Sequence, residues 1–282
     1  MAHKGFTHLL SASMALFLWL MVPAWAQTDT DILNFALQLE CLEGEFYNYA
    51  AGNGGLPASD RGGGPAPIGG RAAKLGGQTL ALAKEIALNE KRHVEFLRSA
   101  LGSQAVPCPL VNLTAFGDAF NTAVAPNTFN PPFSPFNDDL SFLLATFLFE
   151  DIGVSAYQGA APLLSSKANL AAAAGNFATE SYQAGAVRFI LFNQQNNPYQ
   201  IANGNAQAVY KISDGLAALR AKLGGGSNQG VTSPDGSPQV VPVDGNSQTI
   251  PRTTAQIIAI GTGGSPTKKG LFFPNGLNGS IK

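Results

Sequence analysis

Four segments of this chain carry apolar residues at helical spacing, and each sets a glutamate among them. They are Glu40 in "LQLECLEGEF", Glu90 in "IALNEKRH", Glu150 in "ATFLFEDIG" and Glu180 in "FATESYQAG". An ionised carboxylate is costly to bury unless it is paired or bound to a cation. One such acid could be turned outward. One on every long helix restricts the chain to folds in which the acids meet.

The first segment covers about 29–51, with Thr28 or Asp29 as N-cap and Leu33, Ala36, Leu37, Leu39, Phe46 and Tyr47 on a buried face. The second starts at Arg71 or Gly77 and runs to Leu101, where Gly102 and then Pro107 close it. Asp138 and Asp139 cap the third, "LSFLLATFLFEDIGVSAYQGAA", and the fourth covers 167–193 with an Ala-rich first half. The stretch "GNGGLPASDRGGGPAPIGG" predicts no regular element. Residues 103–137, rich in Pro and Phe, are too long for a hairpin loop and read as a crossover packed on the helices. A weaker helix is expected over 206–222 and a short one near 253–260, and the tail "GLFFPNGLNGSIK" has the aromatic content of a segment that docks. Two antiparallel helical hairpins joined by a long crossover make a ferritin-like four-helix bundle. The predicted class is therefore all-α, with the bundle over 27–200 and an added helix and irregular, adherent extension over 201–282.

Spacing gives the acids company. Residues three apart share a helix face, so Glu90 projects with His93, and Glu180 with Gln183. Tyr47 lies seven residues after Glu40, and Tyr157 seven after Glu150. The two halves echo each other, as Glu-x6-Tyr then Glu-x2-His, and Glu-x6-Tyr then Glu-x2-Gln. A Glu from each of two helices and a Glu-x-x-His from each of the other two is the ligand set of carboxylate-bridged di-iron and di-manganese bundles, and carboxylate with imidazole suits Fe or Mn. Here Gln183 stands where the second His would be, so one ion, two ions or none remain open. Glu43 faces roughly with Glu40 and is a further candidate ligand. The competing reading is a hydrogen-bonded polar layer in which some of the acids are protonated, with Tyr47 and Tyr157 as core rings whose hydroxyls are bonded beside it. Glu45, Glu85 and Glu95 fall off the inward face and read as solvated. Gly44 costs about 1 kcal/mol against Ala in a helix, which suggests close approach of another helix.

The N-terminus reads as a signal peptide: Lys4, the apolar run 9–22, then Pro23 and Ala24-Trp25-Ala26, with cleavage before Gln27. No later stretch reads as long and apolar enough for a membrane. The mature protein is expected to be secreted or lumenal, where Cys41 and Cys108 form a disulfide or persist as two buried thiols. Asn112 and Asn278 begin N-glycosylation sequons. With a net charge of −1 and 12% charged residues, nucleic acid and anionic membrane surfaces are not expected partners. His93 is the single His after residue 8, which leaves no Ser-His-Asp or Cys-His arrangement unless it leaves the acid cluster. The Gly-rich stretches lack the Lys of a phosphate loop.

At "LNFALQLECLEGEFYNYA", "ALNEKRHVEFLRSALG", "FLFEDIGVSAYQGAA", "ESYQAGAVRFIL", "IPRTTAQIIAI" and "GLFFPNGLNGSI" the chain resembles plant and algal desiccation-related proteins with a ferritin-like domain. The resemblance covers about 29–282. It implies a secreted or apoplastic protein useful in water stress, with metal ligands falling on Glu40, Glu90, His93, Glu150 and Glu180. The leading expectation is a protective or structural protein with a partial carboxylate site; the alternatives are a Fe- or Mn-dependent oxidase and a metal-sequestering protein. A homo-oligomer and an unidentified stress-related ligand are the remaining partner expectations.

Overall fold

The computed structural model of the protein describes residues 27–226 and 229–282; the signal peptide expected at 1–26 lies outside them. Among the described residues the chain forms eight α-helices and one two-stranded hairpin. The bundle consists of α1 (Asp29–Ala50), α3 (Gly77–Leu101), α5 (Asp139–Ala160) and α6 (Lys167–Asn193). α1 opens with a capping box between Thr28 and Asp31. Asp138 caps α5 through Ser141 N–H, and Ser166 caps α6 through Asn169 N–H. α3 begins after Gly76 without a side-chain cap of its own.

Contacts between helix ends give the topology. Asp139 Oδ1 accepts from Gly76 N–H at 2.9 Å, which joins the starts of α3 and α5. Asp29, at the start of α1, accepts from the N–H groups of Ser165 and Ser166 and from Asn169 Nδ2, at the start of α6. So α1 runs with α6, α3 runs with α5, and α1 opposes both α3 and α5. The closest packing is within the α1–α3 and α5–α6 hairpins. The long connection from α3 to α5 is the crossover of a ferritin-like bundle.

Several expectations change. The linker after α1 holds a single-turn helix, α2 (Ala58–Arg61), opened by Pro57 and closed by Gly62 at φ 57°. The crossover holds α4 (Phe116–Ala123), because Phe116, Ala119 and Phe120 share a face that is buried. Residues 206–208 pair with 198–200 as a hairpin, which delays α7 to Val209–Gly224. α8 (Thr254–Gly261) starts at a Thr253–Gln256 capping box. Glu45 is buried rather than solvated: Oε2 accepts from Leu56 N–H at 3.0 Å and Oε1 pairs with Arg61 at 3.3 Å. The same leucine, not a helix, approaches Gly44, where a Cβ would lie 3.1 Å from its methyl carbons. Glu85 and Glu95 are exposed. The stretch Asp139–Leu163 is long and apolar enough to cross a membrane, yet 89% of its apolar window is buried in the protein, because α5 is the central core helix.

Aromatic side chains fasten the crossover and tail to the bundle. Phe116 of the crossover and Phe272 of the tail meet edge-to-face at 5.0 Å, and each packs on Phe149 of α5, at 4.8 and 5.1 Å. The tail end docks on α1, where Asn278 N–H donates to Gln38 Oε1 at 3.0 Å. Asn278 is exposed, whereas Asn112 is half-buried and caps the turn at Leu113–Ala115.

Cys41 and Cys108 form a disulfide with a Cα–Cα distance of 5.7 Å and a sequence separation of 67. A loop of that size removes unfolded-state entropy worth about 4 kcal/mol in the chain-entropy model, and such bridges typically stabilise by about 2–4 kcal/mol. Replacing both cysteines by Ala should lower the unfolding free energy by that amount in a urea titration, and an unchanged midpoint would contradict the assignment.

Candidate metal centre

The acids meet in the middle of the bundle. Glu40, Glu90, His93 and Glu180 each offer a ligand atom within 4.8 Å of the others, and all four are buried. His93 Nδ1 lies 3.1 Å from Glu90 Oε2, 3.3 Å from Glu40 Oε2 and 3.9 Å from Glu180 Oε1. Three helices, α1, α3 and α6, therefore supply one group. Glu150 lies outside that set of four: its Oε1 accepts from the Tyr47 hydroxyl. Gln183 turns its Nε2 to Glu90 Oε1 at 3.1 Å. Glu43 is buried close enough to feel the charges of Glu90, Glu40 and Glu150.

The tyrosines cross between the halves. Each shares a face with the Glu seven residues before it, but α1 and α5 are antiparallel, so each ring meets the acid of the opposite helix. Tyr47 of α1 donates to Glu150, and Tyr157 of α5 donates to Glu40 while accepting from Asn176 Nδ2 at 2.9 Å. The repeat seen in the sequence is thus a pseudo-two-fold in space, and besides His93 against Gln183 it breaks at one further position. Glu43 on α1 corresponds to Gly153 on α5. A Cβ at Gly153 would stand 2.1 Å from Glu180 Oε2, so this glycine is the space into which the Glu180 carboxylate reaches. Sequence reading missed Gly153; the signal was there in the mismatch between Glu40-x2-Glu43-x3-Tyr47 and Glu150-x2-Gly153-x3-Tyr157.

Burial decides the electrostatics. It pushes Glu43, Glu150 and Glu180 well above the carboxylate range, and their mutual repulsion adds to the effect. Burial, then the charge of Glu40, pushes Glu90 up to about 8. For His93 burial opposes the imidazolium, but the charges and hydrogen bonds of Glu40 and Glu90 together outweigh it and the group rises to about 11. Glu40 responds in kind: burial raises it, His93 lowers it, and the net shift is downward.

A cation fits these residues. Glu40 Oε2, Glu150 Oε2, both oxygens of Glu180 and Gln183 Oε1 are buried without a hydrogen-bond partner among the described residues. Such orphaned acceptors are rare in a folded interior. Clustered in one place, and all of them oxygens, they form a ready donor set for a hard or borderline metal, with His93 Nδ1 as the one nitrogen. The donor set could hold a metal ion; it does not by itself identify which.

Two predictions follow from this geometry. Gly153→Ala should displace the Glu180 carboxylate and weaken metal binding about 10–100-fold, the range for misoriented ligands; unchanged affinity in a metal titration would contradict the role given to this glycine. The second concerns the metal-free protein. For the four acids raised by folding, the stability they contribute is complete below their ordinary value of 4.5 and is lost as pH rises, through about 8 for Glu90. His93, raised to about 11, acts in the same direction above 6.5, and the lowered Glu40 opposes it only in acid. The melting temperature of chelator-treated protein should therefore fall between about pH 6 and 9; a flat profile would show that the acids titrate as solvated groups.

The ferritin-like domain family matches residues 28–193, which are the four bundle helices. The chain is 32% identical over 206 residues to the desiccation-related protein PCC13-62 of Craterostigma plantagineum, a match covering 70% of this chain and 63% of that protein, so it spans less than two thirds of that relative. It is 29% identical over 273 residues to the ferritin-like catalase Nec2 of Nesocodon mauritianus, covering 90% of this chain and 85% of that protein. With the bundle, the crossover and the buried Glu/His cluster in place, the chain belongs to the ferritin-like family.

Proposed function

We propose that this protein is a secreted ferritin-like stress protein that binds Fe or Mn through Glu40, Glu90, His93 and Glu180 and removes peroxide there. The observation that carries the reading is the group of buried, partnerless oxygens around His93. Protons could neutralise the acids and let neighbours such as Glu90 and Glu40 hydrogen-bond as carboxyl–carboxylate pairs, whereas a cation would neutralise and coordinate several of these oxygens at once. The likeness to a protein named a catalase supports peroxide as the substrate.

A bound Fe or Mn ion would supply the redox chemistry that peroxide breakdown needs. The chain's own part is to bind, to orient and to hold protons. Tyr157 and Asn176 fix the Glu40 carboxylate, and Gln183 fixes Glu90. Glu150, bonded to Tyr47, is shifted by burial toward its protonated form beside the cluster. An apolar cleft of about 20 Å³ between α1 and α5, lined by Phe35, Leu39, Glu40, Glu43, Gly153 and Tyr157, reaches the acids. A space only slightly above the roughly 10–15 Å³ needed for one water admits a molecule of that size and excludes larger reductants.

A second reading, protection or metal storage without turnover, is favoured by Gln183. Its amide replaces the second imidazole of the usual ligand set and donates to Glu90 instead. Export is supported by the leader-like residues 1–26 together with the disulfide, which persists in an oxidising compartment.

Protein purified without chelator should contain about one Fe or Mn per chain and release oxygen from hydrogen peroxide, and Glu180→Gln should abolish both. Absence of metal at millimolar supply would overturn the proposal, and metal without oxygen release would establish the second reading. Gln183→His should tighten metal binding about tenfold or more by adding the missing imidazole.

A further inference from the structure

On the outer face of the α5–α6 hairpin, turned away from the acids, three arginines gather around one carboxylate. Arg188, Arg220 and Arg252 are each buried. Asp151 Oδ2 pairs with Arg188 at 2.6 Å and with Arg220 at 2.7 Å. Among the described residues Arg252 has no acidic partner within ion-pair distance. Burial and then the charge of Arg220 disfavour its guanidinium, and Asp151 offsets them only in part.

Arg188 is consumed by structure. Its guanidinium donates to the carbonyls of Gln229, Gly230 and Gln239 as well as to Asp151, and so stitches the extension after α7 onto α6. The other two arginines are differently placed. Arg220 donates to Phe147 O at 3.2 Å, and Arg252 reaches only Gly225 O, through Nε and Nη2 at 3.2 and 3.0 Å. Both line a cleft of about 80 Å³, with Asp151, Ser155, Ser181 and Thr249 among its other walls. That is several times the roughly 10–15 Å³ a water needs. Asp151 Oδ1 also belongs to this site and is buried without a hydrogen-bond partner.

The cleft therefore presents two guanidinium groups, Arg220 sharing Asp151 with Arg188 and Arg252 without an acidic partner among the described residues, next to one orphaned acceptor. Guanidinium groups match the geometry of oxyanions. A bare carboxylate oxygen in the same cleft rejects a fully ionised anion and accepts one that still carries a proton. We propose that this cleft binds a small protonated oxyanion of the hydrogen-phosphate type, its ionised oxygens held by Arg220 and Arg252 and its hydroxyl donating to Asp151 Oδ1. The ligand contacts α5, α7 and the strand-like segment ending at Arg252, so it fastens the extension to the bundle. Arg252 N–H already donates to Ser155 O at 3.0 Å, and a Cβ on Gly159 would meet Arg252 O at 1.8 Å, so this segment lies flat on α5 and presents its side chain to the cleft.

Titration calorimetry of the full mature chain with inorganic phosphate, and with sulfate at equal ionic strength, tests the site. Sulfate carries no proton at neutral pH, so phosphate should bind about tenfold or more tightly, the worth of one hydrogen bond to a charged group. Arg252→Gln should weaken phosphate binding about tenfold or more with unchanged metal content, and Arg252→Lys should restore part of it. Equal affinity for the two anions, no binding of either, or undiminished binding in Arg252→Gln would overturn the proposal. If Arg252→Gln does not fold, the comparison of phosphate with sulfate on the unaltered protein still decides.

Discussion

Taking carboxylates out of water is the constraint around which this molecule is organised. Glu40, Glu43, Glu90, Glu150 and Glu180 are all buried, and no arginine or lysine reaches them as an ion pair among the described residues. His93 alone carries compensating charge, and it is strongly tied to Glu40. An interior of this kind is stable only when something positive joins it, whether protons or a metal. The surrounding packing, with Phe46, Phe116, Phe142, Phe149 and Phe272 in contact, provides the dry medium that makes the choice consequential.

The bundle topology turns that constraint into a site. Because α1 opposes α5, one Tyr–Glu bond forms on each side of the pseudo-two-fold, and Glu150 and Glu40 are held by the same device. The halves then diverge at two places. Gln183 replaces an imidazole, and Gly153 yields its side-chain volume to Glu180. Both changes bias the centre toward the His93 side, where Glu40, Glu90 and Glu180 converge. The crossover, the disulfide and the tail close over the outside of α1, and Arg252 lies against α5. Water is thereby kept from both flanks of the helix pair that lines the narrow approach to the acids.

Most of the bundle was legible before any coordinates. Thr28 and Asp138 are caps that local chemistry dictates, and a Glu among apolar neighbours at helical spacing leaves few places to go. The i, i+3 pairing of Glu90 with His93 is a local fact and held. What failed depended on partners brought from elsewhere in the chain. Glu45 looked solvated because its partners, Leu56 N–H and Arg61, sit in a glycine-rich linker with no periodicity. α4 was hidden among prolines because its buried face is only eight residues long. The crossing of the tyrosines required the relative direction of α1 and α5, which spacing along one helix cannot provide. The arginine cleft was invisible for the same reason: Asp151, Arg188, Arg220 and Arg252 come from three helices and the extension.

The most direct test of the central claim is the number of protons released when metal enters. At pH 7 Glu90, raised to about 8, and His93, raised to about 11, carry protons that a bound ion must displace. Titrating chelator-treated protein with Mn²⁺ or Fe²⁺ under anaerobic conditions in a pH-stat should release about two protons per ion bound. Binding with no proton release would mean that the acids are already ionised and solvated, and the account of a buried, cation-demanding centre would be wrong.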